Sequence, residues 1–294
     1  MPLQYQAARS LRSCASANVA DSYRRRVFRT KWCSDIAHED EVWDMSSRHR
    51  PLNRIRLAYR WVPRGTKRLL DAGCAAGDGT CHYLLKAKEV WGIDPDEGSI
   101  LSARRRYRDI DFAQGQLEIL PFADGFFDVV ILTDVLEHVQ DEEAALNEIY
   151  RVTKMGSTII VTTPHAGMFA WLDPYNYGAV LRSYVPRTYQ LLRRVGLARA
   201  SAQCIQKHRH YSLDDLKTLL DRSEFRSSYR ITATFRSGWL VYPLYLNLLE
   251  ALRRLFPWRV VEMSTTPVRW LAELDYWIPY GQAAYNIGIC VKRS

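Results

Sequence analysis

The sequence predicts an α/β fold: a doubly wound, seven-stranded, mostly parallel sheet with lid insertions. Three observations carry that expectation. A short apolar strand at Leu69 and Leu70 runs through Asp71 into Gly73-Cys74-Ala75-Ala76-Gly77, five consecutive residues without bulk. A second apolar run, Phe127 to Leu132, is continuous in the manner of a strand buried on both faces of a parallel sheet. Around these two, strand-like and helix-like stretches alternate, the pattern of helices packed on both sides of such a sheet.

With 294 residues the chain buries a full core without covalent staples. Its six cysteines, at 14, 33, 74, 81, 204 and 290, form no C-x-x-C pair. They read as free thiols of a reducing compartment and not as a disulfide framework or zinc knuckle. The formal charge of +9 is unevenly placed: residues 1–31 carry seven Arg/Lys against one acid, and residues 174–213 carry seven against none. The remainder is mildly acidic, which argues against nucleic acid as a partner and for two local basic elements that meet something anionic. No apolar run approaches the roughly 18 residues of a membrane-spanning helix, and no signal-peptide core is present. A cytoplasmic location is expected, with peripheral contact to an anionic membrane as its variant. Residues 1–35 read as a basic, disordered tail, and their Arg- and Ser-rich, acid-poor composition also matches an organelle transit peptide. Residues 36–294 then form one domain, interrupted by lid segments at 166–210 and 236–284.

Taken in order, apolar residues at helical spacing from Ile36 to Val62, interrupted by Pro51, predict two lid helices. The cradle after Asp71 is a turn where glycine takes positive φ and backbone approaches a ligand closely. A dinucleotide fingerprint needs a third glycine, but Gly77-Asp78-Gly79 is followed by Thr80, Cys81 and His82. A carboxylate at the strand tip repels a pyrophosphate yet suits a ligand with a cationic end. S-adenosylmethionine, with its ammonium and sulfonium, is such a ligand. Thr80 to Ala87 predicts the first helix and Glu89 to Asp94 the second strand. Asp94 stands at that strand's carboxyl end, where it accepts both hydroxyls of a ribose or caps a helix ahead of Pro95. Ile110 to Gly115 is the third strand. Thr133 emerges at the carboxyl end of the fourth, the edge where open α/β sheets bind ligands. Asp141 caps a helix that runs to Lys154, with Leu146, Ile149, Tyr150 and Val152 inward and Gly156 ending it. Ser157 to Thr163, Ser228 to Phe235 and Tyr285 to Lys292 complete the strands.

Asp71, Gly73, Cys74 and Gly77, together with LPFADGFFDVVILTDVLEHV from Leu120 to Val139, resemble the class I S-adenosylmethionine-dependent methyltransferases of the type 11 subgroup. Ala75 stands where that family usually has glycine. The resemblance implies S-adenosylmethionine as cofactor and a Rossmann-like sheet whose last strand is antiparallel. It implies cofactor contacts at Asp71, Gly73, Ala75 and Gly77, and at Asp94 and Pro95 on the ribose side. Gln116, in place of the usual acid, would hold the adenine amine, Leu117 would pack on the ring, and Thr133 would touch the cofactor through its backbone. Trp43-Asp44 and Pro51 to Ile55 are similar to the entry segment of the ubiquinone-pathway 3-O-methyltransferases. There an arginine contacts the cofactor; Arg54, Arg56 and Arg60 compete for that role. Those enzymes also carry a hydrophobic, basic insertion where this chain has residues 166–210, which implies membrane contact and a lipophilic acceptor. A lid that merely covers the core has the same composition.

Methyl transfer is a displacement that needs orientation and, for a hydroxyl acceptor, a base. His165, His138 and Asp134 are the candidates at the carboxyl edge, with His208 and His210 near them. Asp134, Glu137 and His138 lie at i, i+3 and i+4, one face of a helix. A similar run in eukaryotic 3-O-methyltransferases is implicated in magnesium binding, whereas the same LEH triplet occurs in metal-free relatives; no metal is expected here. The sequence thus reads as a methyltransferase acting on a lipophilic or lipid-linked small molecule, most readily at oxygen. Its rival is a non-catalytic protein of the same fold that binds a membrane surface or a partner.

Overall fold

The computed structural model describes residues 53–168, 209–238, 241–278 and 284–294, with Ala170, Arg187, Gln190 and Gly281 as isolated positions. The basic tail, the first of the two expected lid helices and most of the 166–210 insertion, His208 included, lie outside the described residues.

Helix α1 (Asn53–Trp61) opens the described chain, two residues after Pro51. The strands follow as β1 (Thr66–Ala72), β2 (Ala87–Asp94), β3 (Asp111–Gln114), β4 (Phe127–Thr133), β5 (Thr153–Pro164), β6 (Tyr229–Ser237) and β7 (Asn286–Arg293). Between them lie α2 (Glu97–Arg106), α3 (Glu142–Val152) and α4 (Leu213–Arg222), and then the hairpin of α5 (Val241–Leu255) and α6 (Trp258–Trp277). The sheet has seven strands in the order β3-β2-β1-β4-β5-β7-β6. All neighbours are parallel except β7, which runs against both β5 and β6. The order reverses between β1 and β4, so their carboxyl ends face the crevice where such sheets take ligands.

Alternation along the strands sorts the core into two layers. Leu70, Val130, Leu132, Val161 and Ile289 face α3 and α4, where Leu146, Ile149 and Leu216 meet them. Leu69, Val129, Ile131, Ile160 and Cys290 face the other side, covered by Ala58 of α1, by Val62 just after it, and by Ile100 and Ala103 of α2. Helices on both faces bury the centre of the sheet on each side, which is why β4 and β5 carry apolar runs.

Three local expectations are corrected. The first helix, expected over Thr80 to Ala87, is a 3-10 helix over Thr80–Leu85 only. Lys86 closes its last turn on the Tyr83 carbonyl, and Ala87 is already paired with Thr66, so strand register takes the residues an α-helix would need. The helix after Asp141 ends at Val152 and not at Lys154. Thr153 satisfies its last turn, donating its hydroxyl to the Ile149 carbonyl at 2.8 Å, and Gly156, at φ +73°, sits within β5. Its left-handed backbone serves a bulge, where the pairing of β4 with β5 shifts register, in place of a helix stop. The third correction, at Asp134 to His138, belongs to the site.

Candidate functional site

Asp71 closes β1 on the face covered by α1 and is 6 % exposed. Its Oδ2 accepts the hydroxyl of Thr80 at 2.6 Å. Burial raises the carboxyl from its ordinary 3.8 to about 6, against the lowering effect of Thr80 and with help from the Asp94 charge. A carboxylate held this reluctantly in its charged form gains from a cation brought beside it. Tyr83, buried beneath it, has its phenol pushed well up by burial and then by the charge of Asp71, with Thr133 as its polar neighbour.

The turn that follows has three left-handed residues: Gly73 at φ +83°, Ala75 at φ +44° and Gly77 at φ +81°. Gly73 and Cys74 donate their N–H groups to the Ile93 carbonyl at 2.7 and 3.0 Å, which docks the turn on β2. A Cβ at Gly73 would lie 2.3 Å from Cγ2 of Val135, and one at Gly77 would lie 2.8 Å from the Phe112 ring. Glycine is therefore required at both, on sterics and on φ. Asp78 is held out of the cradle by the α2 terminus: Arg106 grips both its carboxylate oxygens, and the Tyr107 hydroxyl donates to it at 2.7 Å.

Asp94, at the tip of β2, accepts from Ala75 N–H at 2.9 Å through one oxygen and from Asp96 N–H at 2.9 Å through the other. The helix cap that competed for Asp94 is supplied by Asp96, which accepts from Ser99 N–H at 2.7 Å. Asp94 is thereby locked to the cradle, and each carboxylate oxygen retains acceptor capacity toward a diol. Pro95 is exposed beside it and receives Gln114 Nε2 on its carbonyl at 3.2 Å. Gln116 is exposed at the end of β3, whereas Leu117 is 3 % exposed and belongs to the core with Ile93 and Leu120.

On the far side of the crevice, Thr133 ends β4 half-buried. Asp134 takes φ +52°, donates its N–H to the Thr162 carbonyl at 2.9 Å and accepts the Thr162 hydroxyl at 3.2 Å. The helical face expected of Asp134, Glu137 and His138 does not form, since a 3-10 turn covers only Leu136–His138. The left-handed backbone at Asp134 removes it from any helix, Glu137 turns inward to accept the Thr163 hydroxyl at 3.1 Å, and His138 is exposed. Among the described residues, no group of three or more His, Cys, Asp and Glu is placed to hold a metal.

His165 follows β5 and is fully buried. Its Nδ1 lies 3.0 Å from the Ala284 carbonyl, so Nδ1 carries the proton and Nε2 the lone pair. Nε2 has no hydrogen-bond partner among the described residues. Burial, reinforced by the charges of Arg236 and His210, holds the imidazole below its ordinary pKa, although the Ala284 hydrogen bond raises it. His210 lies half-buried nearby. On α1, Arg56 is half-buried and Arg60 exposed; the Arg54 side chain lies outside the described residues.

The site therefore gathers Asp71, Asp94 and the cradle at the β1–β2 tips, Thr133 and Asp134 at β4, and His165 beyond β5, along one carboxyl edge. Thr80, Tyr83 and Val135 escaped the sequence reading. Thr80 alone left a trace, as a hydroxyl one helical entry after the glycines.

Over part of its length the chain is similar to known methyltransferases. Residues 70–161 match a type 11 family model described as a methyltransferase domain. A probable S-adenosylmethionine-dependent methyltransferase of Mycolicibacterium smegmatis is 36 % identical over 115 residues, 39 % of this chain and 44 % of its own length. A ubiquinone/menaquinone biosynthesis C-methyltransferase of Photorhabdus laumondii is 28 % identical over 203 residues, 66 % of this chain and 78 % of its own. The chain spans about half the length, 44 % and 50 %, of the curated relatives it matches first. Among solved structures, the 4+2 cyclase SpnF superposes with a TM-score of 0.52 at 17 % identity, covering 82 % of this chain and 80 % of that one. That likeness concerns the fold alone.

The cradle fits the cofactor on its own geometry. Asp71 would face the aminoacyl ammonium, Asp94 the ribose hydroxyls, and Gln116 and Leu117 the adenine. Their small neighbours leave backbone, not side chain, at the turn.

Proposed function

We infer that the chain methylates a lipophilic or lipid-linked small molecule, at oxygen, with S-adenosylmethionine as donor. The observation that carries this is the pairing of two carboxylate tips around a left-handed cradle with a buried, neutral imidazole on the same edge. S-adenosylmethionine supplies, when bound, an electrophilic methyl group. Asp71 and Asp94 orient its carrier, and the hydrogen bonds between Asp134 and Thr162 fix the turn after β4. His165 presents Nε2 as a base, to take the proton of an acceptor hydroxyl. Positioning provides most of the acceleration and the base the rest.

His165→Gln, which keeps a polar side chain without a base, is expected to lower kcat for a hydroxyl acceptor by about 100-fold or more. Cofactor affinity should be unchanged. Because the imidazole titrates below its ordinary value, the wild-type rate should already be on its plateau at pH 7 and fall as the pH drops through that lowered pKa. A pH–rate profile identical in the variant would remove His165 from the reaction.

The lipophilic acceptor is supported by the hairpin. Among the described residues, ten of the fourteen exposed large hydrophobic side chains lie on α5, α6 and their ends, including Met263 (78 %), Leu271 (58 %) and Leu274 (56 %). Val260, Met263, Trp270, Leu274 and Ile278 recur at helical spacing along α6, an apolar stripe of the kind that lies in a membrane interface. No helix among the described residues is long and apolar enough to cross a membrane. Peripheral contact with anionic lipid follows as our reading. Leu271→Glu should weaken binding to anionic vesicles at least about tenfold, since one buried leucine contributes roughly 1.5 kcal/mol or more. Flotation that leaves both proteins wholly in the soluble fraction would contradict it.

Ala75 and Gln116, which stand where the family usually has glycine and an acid, favour a second reading, a fold used without methyl transfer. One experiment separates the two: incubate the protein with labelled methyl donor and lipid extract, then search by mass spectrometry for a labelled product. A labelled lipophilic ether supports the reading, and cofactor binding with no labelled product of any kind favours the second.

A further inference from the structure

The face of the sheet that holds Asp71 also carries a row of polar residues along its carboxyl edge. Strand alternation places Asp71 with Leu69, Thr133 with Ile131, Thr162 with Ile160, Asn286 with Cys290 and Ser237 with Ala233, all in the layer that α1 covers. Register joins them strand to strand: Thr133 pairs with Thr162, Pro164 with Asn286, and Asn286 with Ser237. Helix α1 closes on this side, for a Cβ at Gly288 would lie 3.1 Å from Leu57.

Besides Thr133 Oγ1 at the crevice, two adjacent members of the row are out of keeping with a purely structural belt. Ser237 is fully buried and Asn286 is 4 % exposed, yet neither Ser237 Oγ nor Asn286 Nδ2 has a hydrogen-bond partner among the described residues. They stand directly opposite one another on β6 and β7 and do not bond to each other. Asn286 Nδ2 points to the root of the hairpin, 3.5 Å from where a Cβ on Gly238 would be, beside Tyr242. Buried polar groups are almost always paired, and two adjacent orphans, both able to donate, call for an oxygen that accepts from both.

We propose that Asn286 and Ser237 form an acceptor subsite that recognises an uncharged carbonyl-type oxygen of the substrate. This rests on the methyltransferase reading above for the position of the methyl group. Asn286 lies two strands, about 10 Å, from Thr133 but only one strand from His165, because it pairs with Pro164. The acceptor then carries a ketone, ester or amide oxygen one strand over from the hydroxyl that His165 deprotonates. Asn286 and Ser237 determine specificity and take no part in proton transfer, which stays with His165.

The test uses the full chain, isotopically labelled and saturated with S-adenosylhomocysteine, titrated with 4-phenyl-2-butanone and separately with butylbenzene. The ketone should move the side-chain amide signal of Asn286 downfield and saturate, and the hydrocarbon should leave it in place. S237A should weaken the ketone at least threefold. N286D, similar in size but without the donor, should weaken it at least tenfold, both variants keeping wild-type affinity for S-adenosylhomocysteine. Equal responses to ketone and hydrocarbon, or an unchanged ketone affinity in both variants, would overturn the subsite. S-adenosylhomocysteine titrated alone reads the donor assignment independently: absence of binding there, with the ketone still seated at Asn286, sinks the methyltransferase reading and leaves the subsite standing.

Discussion

Asp71→Asn is expected to lower the affinity for S-adenosylhomocysteine about 100-fold at pH 7 while making the ligand-free protein more stable. The two effects share one cause. The carboxyl of Asp71 is raised from 3.8 to about 6 chiefly by burial. A raised carboxyl binds its proton more tightly in the folded chain than in the unfolded one. Its favourable contribution is complete below pH 4 and is lost as the pH climbs through about 6. At pH 7 the folded protein therefore bears a buried charge that the amide removes, a difference on the order of 1–3 kcal/mol. The same charge is what an ammonium meets, and a charge-assisted hydrogen bond of this kind is worth about 1.5–3 kcal/mol. Wild-type affinity should tighten roughly tenfold between pH 5 and pH 7 as Asp71 ionises, and the variant should show a flat profile. Thr80→Val, which takes away the hydrogen bond that lowers the carboxyl, should shift that rise to higher pH. Calorimetric titration across this range, paired with thermal melts, checks both signs. A variant that binds as tightly as wild type would remove Asp71 from the cofactor site.

Gly73→Ala carries the second large effect, on stability first and binding second. Its φ of +83° costs an L-residue about 1–2 kcal/mol, and its Cβ would lie 2.3 Å from Val135. Overpacking of that kind adds roughly 1–3 kcal/mol, so a loss of about 2–5 kcal/mol is expected by denaturant titration. Val135→Ala introduced beside it should recover the steric part and leave the backbone part, which separates the two causes. Should the single variant melt with wild type, the turn must have a different backbone from the one described.

The sheet was legible because its signals are local and redundant. Phe127 to Leu132 has no reading other than a doubly buried strand, and Asp71 followed by small residues fixes where β1 ends. Boundaries were less legible where one residue type serves two purposes. Gly156 stops a helix or makes a bulge with the same backbone, and only the pairing of β4 with β5 decides between them. Asp134, Glu137 and His138 have ideal helical spacing, yet the left-handed turn at Asp134, tied to Thr162 on another strand, cancels it. Of the candidate site, the carboxylates and glycines could be read from the chain, since their chemistry is carried by residue type. The Thr80 hydrogen bond, the inward turn of Leu117 and the orphaned pair Ser237 and Asn286 could not, because each depends on contacts between segments far apart in sequence.

A crystal grown with saturating S-adenosylhomocysteine tests the central assignment most directly. The ribose hydroxyls should lie within hydrogen-bond distance of Asp94, with the aminoacyl nitrogen beside Asp71 and the backbone of Gly73 to Gly77 under the nucleoside. A nucleoside bound elsewhere, or none at the β1–β2 tips, would contradict it.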